Sequence, residues 1–112
     1  MRKTVLITGA SRGIGRATAV AFAKEGYNLV ITCSKSETEL LRLKEELERD
    51  FSVDVLASIG DISDYEYVTQ LFSHIEERFH GVDVLVNNAG ISYVGLLTDM
   101  TIEEWNHIVG VN

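Results

Sequence analysis

Residues 8–15 read TGASRGIG and join the apolar run VLIT, at 5–8, to a segment with helical periodicity that starts at Gly13. Glycines have no Cβ atom, so Gly9, Gly13 and Gly15 allow a sharp turn and a close approach of the backbone to a ligand. The first amide N–H groups of a helix have no partner within the helix and attract anions. The stretch therefore predicts a phosphate-binding loop, and a plain tight turn with close helix–strand packing is the alternative.

Three more segments share the short, apolar character of VLIT: LVIT at 29–32, VDVLAS at 53–58 and VDVLVN at 82–87. Apolar residues at successive positions are typical of strands that are buried on both faces. Helical patterns separate these segments from one another. The alternation predicts right-handed strand–helix–strand units and a parallel sheet.

Signals for helix ends support the same order of elements. Gly26 follows the first helical pattern and predicts its C-terminus. A capping box, in which Ser or Thr is followed three residues later by Glu, predicts the start of each later helix. The three boxes are Ser36 with Glu39, Ser63 with Glu66, and Thr101 with Glu104.

Composition narrows the function before any motif is considered. The 112 residues predict one domain, 1–112, and 17 acidic against 10 basic residues give a formal charge of -7. This charge repels nucleic acid and anionic membranes, so neither is expected as a partner. Cys33 is the only cysteine, which excludes an intrachain disulfide and favours a cytoplasmic location. The three histidines are not at ligand spacing beside it, and no metal site is predicted.

Three motifs, taken together, resemble the short-chain dehydrogenase/reductase family. They are TGASRGIG at 8–15, GDI at 60–62 after the third strand, and NNAG at 87–90 after the fourth strand. The resemblance runs from Lys3 to Asn112 and is nearest to the 3-oxoacyl-acyl-carrier-protein reductases. It implies an α/β fold of the Rossmann type, a doubly wound parallel sheet with strand order 3-2-1-4 that is truncated after the fourth strand and fourth helix.

The resemblance also implies a nicotinamide dinucleotide cofactor. Asp61 is expected to bind the adenine amino group, or alternatively to cap the next helix. Asn87 and Asn88 are expected to brace the sheet, although NNAG alone could be only a strand-end turn. The residues implied to contact the cofactor are Gly9, Ser11, Arg12, Gly13, Ile14, Gly15, Ser34, Lys35, Asp61, Ile62, Asn88, Ala89 and Gly90.

The end of the second strand decides which dinucleotide is expected. An acidic residue there accepts hydrogen bonds from the ribose hydroxyls and repels a 2′-phosphate, whereas a basic residue attracts it. Cys33 stands where an NAD-preferring family member usually carries Asp, and Lys35 and Arg12 are both within reach of a phosphate. NADP(H) is therefore predicted over NAD(H). The alternative is that both cations are merely solvated, and Glu37 nearby weakens their field.

The family's chemistry, by resemblance, is hydride transfer between the nicotinamide and a carbonyl or alcohol carbon. It requires a tyrosine as general acid, a lysine four residues later, a serine and an asparagine. Asn112 alone matches one of these positions, and a frayed helix end is the alternative reading of it. None of the four tyrosines is followed by lysine at that spacing. We therefore expect the N-terminal part of a longer reductase, inactive by itself.

Three functions stay open at this stage. The first is a reductase of carbonyl compounds or acyl thioesters, which by resemblance would form a homotetramer in its full-length form. The second is a nucleotide-binding module without chemistry, and the third is a structural fragment completed by a partner. With only four strands the fourth would leave an apolar sheet edge open, which is a liability for aggregation.

Overall fold

The computed structural model describes residues 2–88 and the backbone of residues 93–96, which form a five-stranded sheet with helices on both faces. The strand order is β3-β2-β1-β4-β5. The elements are β1 (Thr4–Thr8), α1 (Gly13–Lys24), β2 (Asn28–Cys33), α2 (Glu37–Phe51), β3 (Val55–Ile59), α3 (Tyr65–Phe79), β4 (Val84–Asn87) and β5 (Tyr93–Leu96). The predicted Rossmann-type order 3-2-1-4 of parallel strands is confirmed.

Strand β5 corrects the expectation of an open edge at β4. It pairs antiparallel with β4, and Val84 lies opposite Leu96 while Leu85 lies opposite Gly95. An antiparallel partner needs only a short connection, so the chain can return along β4 without a crossover helix. The predicted fourth helix, from Thr101, lies outside the described residues.

Both faces of the sheet are covered, which explains the continuous apolar character of the strands. In β1, Val5 and Ile7 face one side and Leu6 faces the other. Helices α1 and α2 cover the first side, with a buried cluster that includes Ala19, Ala23, Leu29, Ile31, Leu40, Leu43 and Leu47. Helix α3 covers the second side, with Val30, Val68, Leu71, Ile75 and Leu85.

The predicted C-terminus of α1, at Gly26, and the predicted N-terminus of α2, at Ser36, had different outcomes. Gly26 directly follows the C-cap of α1 and adopts the left-handed conformation, φ +83°, as predicted. Ser36 is the N-cap of α2, so the predicted start is correct, but its side chain makes no capping hydrogen bond. The prediction that the Ser36 hydroxyl caps the helix as part of a capping box is therefore wrong.

The predicted N-cap of α3 is wrong by one residue. Asp64, not Ser63, is the cap, and its carboxylate accepts hydrogen bonds from the amides of Glu66 at 3.0 Å and Tyr67 at 3.4 Å. The Ser63 hydroxyl instead donates to the Asp61 carboxylate at 2.7 Å. Because its hydroxyl is hydrogen-bonded to the preceding loop, Ser63 does not cap the helix, and the adjacent Asp64 does.

The turn from β1 into α1 depends on its glycines. Gly9 and Gly13 have φ values of +62° and +63°, which L side chains rarely adopt. Gly15 lies in the first turn of α1 and is packed against the loop backbone. A Cβ atom there would lie 2.0 Å from the Gly9 carbonyl oxygen and 3.0 Å from the Ala10 Cα. The close packing expected of a plain tight turn is present, and it is also compatible with a phosphate-binding loop.

We predict that Gly15→Ala destabilises the fold by about 3 kcal/mol, because the new methyl group overlaps backbone that cannot move aside cheaply. Gly13→Ala is the matched control, because its added Cβ meets nothing within 4 Å. The control should lose about 1 kcal/mol through its left-handed backbone alone. Urea denaturation measures both losses. A loss for Gly15→Ala no larger than that of the control would contradict this account of the packing.

We predict that Asp64→Ala lowers the free energy of unfolding by about 1 kcal/mol, because two amides of α3 lose their acceptor. Ser36→Ala is the control at another N-cap, where no side-chain bond is lost, and should change stability by less than about 0.5 kcal/mol. Thermal or urea denaturation of both variants tests the difference. Equal losses would show that the Asp64 contacts do not stabilise the helix.

Candidate functional site

The carboxyl ends of β1, β2 and β3 meet at one edge of the sheet and enclose an open cavity of about 390 Å³. The loops that follow these three strands supply its walls. Clefts at the carboxyl ends of parallel strands are where open α/β sheets bind their ligands. The residues that line the cavity are Thr8, Gly9, Ser11, Arg12, Thr32, Cys33, Ser34, Lys35, Ser36, Gly60, Asp61 and Ile62.

Most of the predicted cofactor-contacting residues in the described part of the chain meet in this cavity. Those that line it are Gly9, Ser11, Arg12, Ser34, Lys35, Asp61 and Ile62. Gly13 and Ile14 lie just beyond it, and the Ile14 side chain is 79% exposed at the start of α1. Gly15 is buried beneath the loop and supports it. Ala89, Gly90 and Asn112 lie outside the described residues.

Thr8 fixes the loop to the end of β4. Its hydroxyl donates to Asn87 Oδ1 at 3.0 Å and accepts from the Asn88 amide at 3.0 Å. The Asn88 side-chain nitrogen donates to the Thr8 carbonyl oxygen at 3.1 Å. The predicted bracing role of Asn87 and Asn88 is confirmed. The role of Thr8 was missed, although a threonine at the last position of a buried strand was a visible signal.

Backbone hydrogen bonds hold the three loops in fixed positions. The Ala10 amide donates to the Thr32 carbonyl oxygen at 3.0 Å and so joins the loop after β1 to β2. The Gly60 amide donates to the Cys33 carbonyl oxygen, also at 3.0 Å, and joins the loop after β3 to the same strand. The walls of the cavity are therefore held in place by hydrogen bonds within the protein.

The end of β2 presents neutral and positive groups to the cavity. Cys33 is 6% exposed, and burial raises the pKa of its thiol, although the amides of Ser36 and Lys35 act in the opposite direction. The thiol is therefore neutral at neutral pH. Lys35 and Arg12 are exposed, and neither side-chain cation forms an ion pair with another described residue.

Asp61 is held in the loop after β3. Its Oδ1 atom accepts hydrogen bonds from the Ser63 amide at 2.8 Å and from the Ser63 hydroxyl at 2.7 Å. These bonds lower the pKa of Asp61, so the carboxylate is charged at neutral pH. Because Asp64 caps α3, the alternative reading of Asp61 as a helix cap is wrong. Its predicted contact with adenine stays a prediction.

Tyr67 supports the same loop from below. A Cβ atom on Gly60 would lie 2.2 Å from the Tyr67 ring, so the loop backbone rests directly on that ring. The phenol is fixed by a 2.6 Å hydrogen bond with the Ser58 hydroxyl, and burial raises the pKa of Tyr67. This support was not predicted, because it requires knowing how α3 packs on β3.

Thr32 carries a buried polar group without a partner at the end of β2. Its side chain is fully buried, it lines the cavity, and its hydroxyl has no hydrogen-bond partner among the residues described. A buried hydroxyl without a partner costs free energy. Apart from this hydroxyl, the walls of the cavity combine glycine backbone, cations and a carboxylate, which fit a dinucleotide.

Neither a metal-ligating cluster nor a membrane-spanning helix is present among the described residues. Within residues 2–88, no group of three or more His, Cys, Asp or Glu side chains is placed to hold a metal ion. Among the helices that the structure describes, none combines the length and the apolar character that crossing a bilayer requires. The carboxyl-edge cavity is thus the feature to which the predicted residues converge.

Solved structures share this fold. The L-sorbose reductase of Gluconobacter frateurii, complexed with NADPH and L-sorbose, has a TM-score of 0.74 and 35% identity, over 93% of this chain and 39% of that protein. An alcohol dehydrogenase of Thermococcus sibiricus, complexed with 5-hydroxy-NADP, has a TM-score of 0.73 and 36% identity, over 99% of this chain and 47% of that protein.

The proteins of similar sequence, like those of similar structure, are reductases and dehydrogenases. The 3-oxoacyl-(acyl-carrier-protein) reductase FabG of Staphylococcus aureus is 38% identical over all 112 residues, and the D-beta-hydroxybutyrate dehydrogenase of Rhizobium meliloti is 35% identical. The chain spans 45% and 43% of the lengths of these two proteins. The profile of the short chain dehydrogenases matches residues 3–112. The chain belongs to the short-chain dehydrogenase/reductase family of oxidoreductases.

Proposed function

We propose that these residues form the NADP(H)-binding part of a reductase that acts on the carbonyl group of 3-oxoacyl thioesters. The observation that carries the cofactor assignment is the end of β2, where a neutral thiol and the Lys35 cation line the cavity and residues 32–35 include no carboxylate. The resemblance to FabG, at 38% identity, supports the substrate class. In such a protein we further propose the homotetramer expected from the resemblance.

Electrostatics favours NADP(H) over NAD(H) in this cavity. A 2′-phosphate is an anion that Arg and Lys bind through charge-assisted hydrogen bonds. Arg12 and Lys35 have no competing ion pair among the described residues, and the neutral Cys33 does not repel the phosphate. The ligands bound to the sorbose reductase and to the Thermococcus alcohol dehydrogenase, NADPH and 5-hydroxy-NADP, are consistent with this preference.

The other site residues have roles that follow from their groups. The glycine loop and the first amides of α1 would face the pyrophosphate, because they offer unpaired N–H groups and the positive end of the helix dipole. The exposed Ile14 side chain would be covered by the cofactor. The Asp61 carboxylate would accept a hydrogen bond from the adenine amino group. Asn88, Ala89 and Gly90 would border the adenosine ribose.

The nicotinamide supplies the hydride when it is bound, and the residues described here bind and orient it. Asn112 is proposed as a member of the proton relay. The general-acid tyrosine with its lysine is absent from these 112 residues, as is the serine that polarises the substrate oxygen. A binding module without chemistry is the second candidate function, since the residues around the cavity are assigned to binding a dinucleotide and none of them to the reaction itself.

We predict that Lys35→Ala weakens NADPH binding about tenfold and changes NADH binding less than about twofold, because only the 2′-phosphate loses a partner. Cys33→Asp should weaken NADPH binding at least as much and improve NADH binding, since a carboxylate repels the phosphate and accepts from ribose hydroxyls. Cys33→Ser, which adds no charge, is the control. Fluorescence titration measures all four proteins. Equal losses for both cofactors would contradict the NADP(H) assignment.

We predict that the 112-residue chain binds NADPH but does not oxidise it with a 3-oxoacyl thioester. Positioned proton transfer is worth roughly 10²- to 10⁴-fold in rate, and the chain lacks the residue that provides it. The decrease in nicotinamide absorbance measures turnover. A version extended by a segment with the serine and the Tyr-x-x-x-Lys sequence should turn over. Oxidation by the unextended chain would refute the roles assigned here, and failure to bind NADPH would refute the proposed function.

A further inference from the structure

A second cavity, of about 440 Å³, adjoins the first and shares Ser11 and Arg12 with it. It lies between the start of α1 and the first half of α2. Arginines form half of its lining, which consists of Ser11, Arg12, Arg16, Glu39, Arg42 and Glu46. The sequence motifs and the proposed cofactor contacts do not account for Arg42.

One ion pair joins the two helices. Arg16 of α1 binds the Glu46 carboxylate of α2, and both side chains are partly buried. Arg12 and Arg42 each lie four residues earlier, which is about one helical turn, or 6 Å, nearer the carboxyl edge of the sheet. Both residues line the second cavity, and Arg12 also lines the first.

These two guanidinium groups lack the partner that Arg16 has. Neither Arg12 nor Arg42 forms an ion pair with another described residue, and both are exposed. The exposed Glu39 is the remaining carboxylate of the lining, and it pairs with neither of them. Two like charges that share a cavity repel each other unless an anion lies between them. Arginine is also the side chain whose planar fork matches a phosphate.

We infer that Arg42 is a specificity-determining residue that forms the outer wall of the 2′-phosphate subsite of NADP(H), across from Arg12. The inference rests on the proposed function, because it takes the ligand of the first cavity to be a nicotinamide dinucleotide. Arg12 lines both cavities and so connects the phosphate in the first with the charge in the second. Arg42 then acts on NADPH and leaves NADH unaffected, while Glu39 acts in the opposite direction.

The test is the ratio of the NADPH and NADH dissociation constants, measured by fluorescence titration on the 112-residue chain. Arg42→Gln removes the charge and keeps most of the aliphatic stem, so it should weaken NADPH binding about five- to tenfold and change NADH less than about twofold. Glu39→Gln should strengthen NADPH binding about twofold, because a nearby negative charge is removed. The effect of Arg42→Gln should shrink in high salt.

Arg49→Gln is the matched control. Arg49 pairs with the adjacent Asp50 on the exposed surface. Its replacement removes the same charge from the same face of α2, seven residues, or about 10 Å, farther along the helix than Arg42. At physiological ionic strength that exceeds the screening length of about 8 Å, so the ratio should not change. Thermal denaturation of each variant establishes that it folds, and Arg42→Lys, which keeps the charge, should retain part of the preference.

The outcomes separate the two proposals. If the unmodified chain does not prefer NADPH, the NADP(H) assignment itself fails. If it prefers NADPH and Arg42→Gln has the same ratio as Arg49→Gln, the role of Arg42 is refuted while the assignment stands. If Arg42→Gln weakens both cofactors equally, the residue is structural and the inference is also wrong.

Discussion

The contact between Gly15 and the carbonyl group of Gly9 is the constraint on which the site depends. No side chain fits between them, since a Cβ atom on Gly15 would lie 2.0 Å from that oxygen. Helix α1 therefore starts directly beside the end of β1, and its first amides face the carboxyl edge of the sheet. Thr8 fixes the other side of the same turn to Asn87 and Asn88. A loop that is held on both sides presents its backbone to a ligand without having to be ordered by it.

The sequence was sufficient for the fold and for the set of loops, because both follow from local patterns. Apolar runs predicted the parallel strands, and the family resemblance named Gly9, Lys35 and Asp61 as cofactor contacts. These residues line one cavity because parallel strands bring their carboxyl ends to one edge. What depends on tertiary distances was not predictable. The Tyr67 ring beneath Gly60 and the unsatisfied Thr32 hydroxyl arise only when strands and helices are packed together.

The N-cap of α3 is the clearest feature that the sequence pattern alone could not predict. Ser63 and Asp64 are adjacent, and either residue type caps helices well. The Ser63 hydroxyl donates its hydrogen bond to the Asp61 carboxylate, so Asp64 is the residue that accepts from the amides of α3. Strand β5 is a similar case. Its four residues, Tyr93–Leu96, include a glycine, and their place beside β4 is set by pairing and not by a periodicity of their own.

The charge of the whole chain and the charge of the site have opposite signs. The formal charge is -7, yet Arg12, Lys35 and Arg42 lie at one edge with no ion pair among the described residues. Because salt screens charges over about 8 Å, a bound phosphate is affected mainly by the charges at this edge, where the cations attract it and the Asp61 and Glu39 carboxylates repel it. On the proposed assignment, the preference for NADP(H) then comes from attraction alone. The neutral Cys33 neither repels a phosphate nor penalises a ribose hydroxyl, so NAD(H) is bound more weakly and is not excluded.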